Sequence, residues 1–397
     1  MLACPRLRVF RASHSRLINV CGRSPRRSFT SQSHERIGVR CGSAGHVTID
    51  LVNIVGHSPN SPLFIQLPPF PSSDGEPAPL PSFLQGRPVA TINYRWNSVD
   101  LGLTELPSTD GLWPTPIHDA SFAYSWLVEN LAPQGAQRRD IYVYGSHLGA
   151  SLATSLALTE TQPHQRFAVR GLVSYNGIYN WTMFFPDHPA NRAVKRSKNP
   201  MLIYRPQEGT YVHYLQQHLP VYFQSPSDMF DPFVSPSLFF HNPGLRIPSS
   251  YTRSEDESAA LEVLINPDAA PLNQIKTPRK SRLVFPPRKS TLKVPETLLL
   301  YDALPAPPPD KAGRRKRAKP RGNSLELQAR ELAEMMQRSI EKVELKERSQ
   351  WDEDIDSWED EPARRVKVRE AGEERQMLEM GEQGQEFIEE WLAERVG

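Results

Sequence analysis

The run Asp140-Ile-Tyr-Val-Tyr-Gly-Ser-His-Leu-Gly-Ala-Ser-Leu-Ala153 constrains this chain more than any other stretch, because it reads as a strand, a sharp turn and a helix in one passage. In an elbow of the G-x-S-x-G type the central residue sits on a strained strand-to-helix turn. The flanking glycines remove the Cβ atoms that would clash there. Gly145 and Gly149 take those two places, so the apex holds His147 where the motif puts a nucleophilic serine. Ser146 is its neighbour, but as an apex it would put Tyr144 and Leu148 where the turn wants glycine.

The rest of the chain supplies partners for that strand and helix. Strands are predicted near 46–54, 63–67, 88–95, 140–144, 170–176, 296–301 and 364–369, and helices near 116–131, 148–160, 324–346 and 383–395. Strands alternating with helices predict an α/β fold with a mostly parallel sheet covered on both faces. In the third of these helices Leu325, Ala329, Leu332, Met336, Ile340 and Val343 follow a 3.6-residue period. Asn323 and Glu326 are placed to form a capping box at its start. Phe387, Ile388, Trp391 and Leu392 mark the buried face of the last helix. Between 181 and 293 the pattern loosens into a cap or insertion, with a short helix expected near Tyr211–Phe223 and a flexible polar stretch at 249–282.

Two further passages carry a resemblance. Pro88-Val-Ala-Thr-Ile-Asn-Tyr-Arg-Trp96, followed by Pro116-Ile-His-Asp-Ala-Ser-Phe-Ala-Tyr-Ser-Trp-Leu127 and the elbow, resembles the α/β-hydrolases of the hormone-sensitive-lipase and carboxylesterase branch. The likeness is good over 46–180 and looser in the C-terminal third. It implies an α/β-hydrolase fold and acyl-transfer chemistry, which requires a nucleophile, a base, an acid and oxyanion donors.

This sequence departs from that set at three places. The apex is His147. The expected base is a histidine between the last strand and the last helix, yet 364–383 contains none and His241 is the last histidine of the chain. After the strand Leu63-Phe-Ile-Gln-Leu67, where the branch carries His-Gly-Gly-Gly, this chain has Pro68-Pro-Phe-Pro71, and proline lacks the N–H an oxyanion needs. Pro68 and Pro69 thus occupy the oxyanion-loop position. An acid is still available after Thr297-Leu-Leu-Leu-Tyr301, where Asp302 is one candidate and Asp310 a second, each without a histidine to orient. At a helix N-terminus His147 is expected to be neutral.

No His-x-x-x-His or Cys-x-x-Cys spacing suggests a metal site, and no Walker A loop or G-x-G-x-x-G suggests a cofactor. Mean hydropathy is −0.51 and no apolar run nears the length of a membrane span. The formal net charge is +2, but charge is segregated. Residues 1–34 carry seven arginines and many serines, with no acidic residue before Glu35. That composition predicts a mitochondrial transit peptide and leader over 1–43, matrix delivery, and a hydrolase-like domain over 44–397, with cytoplasm or nucleus as alternatives. Of three cysteines only Cys41 lies beyond residue 21, which suits a reducing interior. A basic loop at 303–322, with Lys311, Arg314, Arg315, Lys316, Arg317, Lys319 and Arg321, faces an acidic segment at 351–362 around Trp351 and Trp358. The basic run could meet RNA or anionic lipid. The sequence therefore reads as a catalytically degenerate hydrolase-like protein with a binding or scaffolding role toward an unknown small molecule or protein. An esterase using other groups and an RNA- or ribosome-associated protein are the alternatives.

Overall fold

The computed structural model describes residues 33–43, 45–71, 77–97, 111–192, 203–265, 278–304, 322–346, 360–374 and 378–396. The leader up to 32, Asp310, the whole basic run from Lys311 to Arg321, and Trp351 and Trp358 lie outside the described residues.

Eight strands form one sheet: β1 (His34–Arg40), β2 (His46–Val52), β3 (Leu63–Leu67), β4 (Val89–Asn93), β5 (Arg139–Ser146), β6 (Phe167–Tyr175), β7 (Glu296–Ala303) and β8 (Val366–Glu373). Their spatial order is β1-β2-β4-β3-β5-β6-β7-β8. β2 runs antiparallel to both neighbours, and every pair from β4 to β8 is parallel. Parallel strands need crossover connections, and the helices α1 (Thr115–Leu131) and α2 (Leu148–Glu160) supply two of them. Leu63, Ile65, Ile141 and Val143 share a core with Leu127, Leu152 and Leu156 of those helices. The alternate residues Phe64, Tyr142 and Tyr144 pack on the other face with Ile388, Trp391 and Leu392 of the last helix. One sheet with two apolar faces is what the near-continuous hydrophobic runs in β3 and β5 require.

β1 was not expected: His34–Arg40 fell within the leader. It joins β2 through a turn in which Cys41 N–H donates to the Gly45 carbonyl at 2.8 Å. Only Val39 of this edge strand is buried, so it carries little apolar signal. It is held by a polar pair instead: Arg36 donates to both oxygens of Asp50, at 2.6 and 2.9 Å, and Asp50 is buried in β2.

Between β6 and β7 the chain forms short turns, α3 (Tyr211–Gln217) and the helix Glu255–Ile265. The second of these lies in the stretch expected to be flexible. Its start is a capping box: Glu257 N–H donates to Ser254 Oγ at 3.1 Å, and Ser254 N–H donates to Glu257 Oε2 at 3.3 Å. After β7, α4 (Leu325–Ser339) buries Leu325, Ala329, Leu332 and Met336, the expected stripe. Its cap differs from the expected one. Ser324 Oγ accepts from Leu327 N–H at 3.3 Å, while Asn323 Oδ1 accepts from the Gln328 amide at 2.8 Å. Gln328 in turn receives the N–H groups of Tyr179 and Asn180, at 3.0 and 2.8 Å, fastening α4 to the start of the insertion.

Candidate functional site

The elbow forms as the sequence predicts, with β5 ending at Ser146 and α2 starting at Leu148. His147 between them has φ 53° and ψ −116°, a left-handed conformation that a side chain other than glycine adopts only when its surroundings impose it. Both glycines are sterically required. A Cβ on Gly145 would lie 2.5 Å from the Gly149 carbonyl oxygen, and one on Gly149 would lie 2.3 Å from that of Pro68. His147 N–H donates to the Tyr175 carbonyl at 2.9 Å, tying the apex to the end of β6.

The His147 ring is enclosed. It is 3% exposed and meets Tyr211 and Tyr175 edge-on, at centroid distances of 4.9 and 5.5 Å, and Phe70 face-on at 6.4 Å. Its Nδ1 is buried without a hydrogen-bond partner. Burial pushes its pKa down to about 3, so the imidazole is neutral at physiological pH. The neutrality expected from the sequence holds, with loss of water as its cause. Ser146 is 4% exposed. Strand alternation places it on the face of Tyr142 and Tyr144.

The oxyanion position is occupied by the protein itself. In an elbow the N–H of the residue after the nucleophile points at the developing oxyanion. Here that group, Leu148 N–H, donates to the Pro69 carbonyl at 3.2 Å. The loop is held in this pose because Tyr94 Oη donates to the Pro68 carbonyl at 2.8 Å. The two prolines therefore do more than omit donors: they deliver a carbonyl to the remaining one.

Asp302 closes β7 at the expected acid position. It has partners that the sequence did not reveal. Tyr175 Oη donates to its Oδ2 at 2.6 Å, Asn176 Nδ2 donates to the same oxygen at 3.1 Å, and Asp302 N–H donates to Asn176 Oδ1 at 2.8 Å. Burial first, then the adjacent carboxylate, holds the Tyr175 phenol far above its ordinary pKa, so it remains a donor. Just after β8, in the stretch where the resemblance asks for a histidine, stands Glu374. Its Oε1 accepts from Tyr211 N–H at 2.5 Å, and its own N–H donates to the Ala303 carbonyl at 2.8 Å. Burial, with a smaller push from Asp302, raises its pKa, while the Tyr211 N–H opposes the shift. Tyr175, Asn176, Tyr211 and Glu374 were missed because their roles come from contacts between distant segments.

Among the described residues no group of three or more His, Cys, Asp or Glu is placed to hold a metal ion, and no helix is long and apolar enough to cross a membrane.

No protein-family model matches the sequence, and no curated protein matches it. Solved structures do resemble it. A carboxyl esterase from the mycorrhizal fungus Tuber melanosporum is 12% identical with a TM-score of 0.44, over 92% of this chain and 86% of that one. A hyperthermophilic esterase from the archaeon Pyrobaculum calidifontis is 13% identical with a TM-score of 0.45, over 92% and 84%. A hormone-sensitive lipase from a metagenome library is 11% identical with a TM-score of 0.42, over 92% and 87%. Its own strand order, the antiparallel β2 and the elbow between β5 and α2 give this chain an α/β-hydrolase fold.

Proposed function

We propose that this protein is a catalytically degenerate α/β-hydrolase that works by binding or scaffolding in mitochondria. The observation that carries the reading is the hydrogen bond from Leu148 N–H to the Pro69 carbonyl beneath an apex that holds His147. Losing one oxyanion donor costs on the order of 3 kcal/mol of transition-state stabilisation. Absence of a general base removes a further factor of about 100 to 10,000. A neutral His147 buried among three aromatic rings is poorly placed to attack an ester.

The purified protein should therefore show no turnover of p-nitrophenyl acetate or butyrate and no labelling by a fluorophosphonate. His147→Ser should leave both results unchanged, since the new serine would have neither base nor oxyanion donor. Stoichiometric labelling at Ser146, or turnover above the buffer rate, would replace this reading with an esterase using other groups.

The mitochondrial setting rests on the arginine-rich, acid-free start. A fluorescent protein carrying residues 1–40 should enter mitochondria and be shortened on import. A diffuse or nuclear signal would remove the assignment.

A further inference from the structure

A cavity of about 1020 Å³ lies away from the elbow, between α4 with its continuation to Lys346 and the segment from Lys280 to Arg288. Its inner end holds His241, which is 2% exposed. Neither His241 ring nitrogen has a hydrogen-bond partner, and Glu331 Oε1 lies 3.8 Å from Nε2. A buried imidazole left unsatisfied on both sides weakens the fold unless something else supplies the bonds.

The walls say what that something would be. Lys280, Arg282, Arg288, Arg338, Lys342 and Lys346 line the cavity, against Glu331, Glu334 and Glu341. Glu341 is paired with Lys342, and Glu331 accepts from Asn180 Nδ2 at 3.0 Å with its pKa raised by burial. The side chains of Arg282, Arg288 and Arg338 carry no hydrogen bond or ion pair with any described residue. Three unengaged guanidinium groups suit a ligand with several anionic oxygens, because each planar fork can hold two oxygens of one phosphate. Phe285 and Met335 add an apolar wall beside them.

We infer that this cleft binds an organic phosphate: the arginines hold its phosphate oxygens at the rim, His241 donates to it from within, and its apolar part lies on Phe285. The site is independent of the elbow and of whether the elbow is catalytic. It also differs from the basic run of 311–321 that the sequence offered for RNA or lipid.

ATP without magnesium is a suitable probe, titrated calorimetrically into the full chain. One ATP should bind per chain, with a Kd on the order of 10 μM at low salt. Arg282→Ala with Arg338→Ala should weaken binding at least about tenfold with an unchanged Tm, since both side chains are exposed and unpaired. His241→Leu should also weaken it about tenfold while leaving Tm unchanged or higher, because an unsatisfied polar group has been removed from the interior. Replacing the seven basic residues from Lys311 to Arg321 by serine should leave the affinity as it was. Absence of saturable ATP binding overturns the inference, and so does binding lost with the serine variant but kept in the double-arginine variant. Intact affinity with a lowered Tm in His241→Leu would assign the histidine to the fold and overturn it equally.

Discussion

Gly149→Ala should destabilise the protein by about 3 kcal/mol, even though alanine is the better helix former by up to about 1 kcal/mol. The added Cβ would sit 2.3 Å from the Pro68 carbonyl oxygen and 2.5 Å from that of Leu67. Both are backbone atoms, so neither can rotate out of the way. The loop is also anchored by Tyr94 and by the Leu148–Pro69 hydrogen bond, so relief requires breaking at least one of them. Gly38→Ala is the matching control, since nothing lies within 4 Å of its added Cβ. Urea unfolding followed by circular dichroism reads both. Equal midpoints for the two variants would mean that β3 and α2 do not approach as closely as the elbow requires.

The second large effect is acid sensitivity. Burial lowers the pKa of His147 and His188 to about 3 and that of His241 to about 4; for His188 nearby Lys280, His241 and Arg192 add to it. Unfolded histidine titrates near pH 6.5, so below that pH the unfolded chain binds protons that the folded chain refuses. Stability is then fully present above about pH 6.5 and falls as pH drops toward the folded values, by about 1.4 kcal/mol per pH unit for each histidine. Glu331 and Glu374, whose pKa values are raised, act in the opposite sense. They keep their protons in the folded state above the ordinary carboxylate range, so their contribution grows as pH falls toward 4.5. Between pH 6.5 and 5.5, where that slope is still developing, the three histidines together cost about 3 kcal/mol, a large part of a typical total of about 5–15 kcal/mol. The urea midpoint should hold steady from pH 8 to 7 and drop sharply by pH 5.5. His147→Phe, placing another apolar ring among Phe70, Tyr175 and Tyr211, should remove about a third of that slope. A midpoint at pH 5.5 equal to that at pH 7.5 would refute the proposal that these imidazoles are buried and neutral.

The sheet was readable wherever a strand is buried along its length and mostly apolar, as in Leu63–Leu67 and Thr297–Tyr301. β1 was not, because an edge strand of the pattern His-Glu-Arg-Ile-Gly-Val-Arg is stabilised by Arg36 reaching Asp50, a contact across 14 residues that periodicity does not encode. The elbow was legible for the opposite reason: its glycines are local steric requirements and appear at fixed spacing. The prolines after β3 announced missing N–H groups, but not that the Pro69 carbonyl turns onto Leu148. Asp302 could be placed at a strand end, whereas its pairing with Tyr175 and Asn176 depends on β6 and β7 lying side by side. Glu374 carries no local signature. Only the fold brings it against Tyr211, 163 residues earlier.

The Leu148–Pro69 hydrogen bond joins two backbone groups, and this determines what would be needed to engineer hydrolysis here. Side-chain exchange at His147 or Glu374 could install a serine and a histidine, yet no exchange at those positions frees the donor that Pro69 holds. The loop itself has to be rebuilt, with residues that carry N–H groups and a backbone path that withdraws the carbonyl. Rebuilding exposes Gly149 to a new neighbour and releases Tyr94 from Pro68, so a gain in reactivity is coupled to a loss of packing at the same contact. The scaffold is thus locked at its backbone, and a route to catalysis passes through several simultaneous changes.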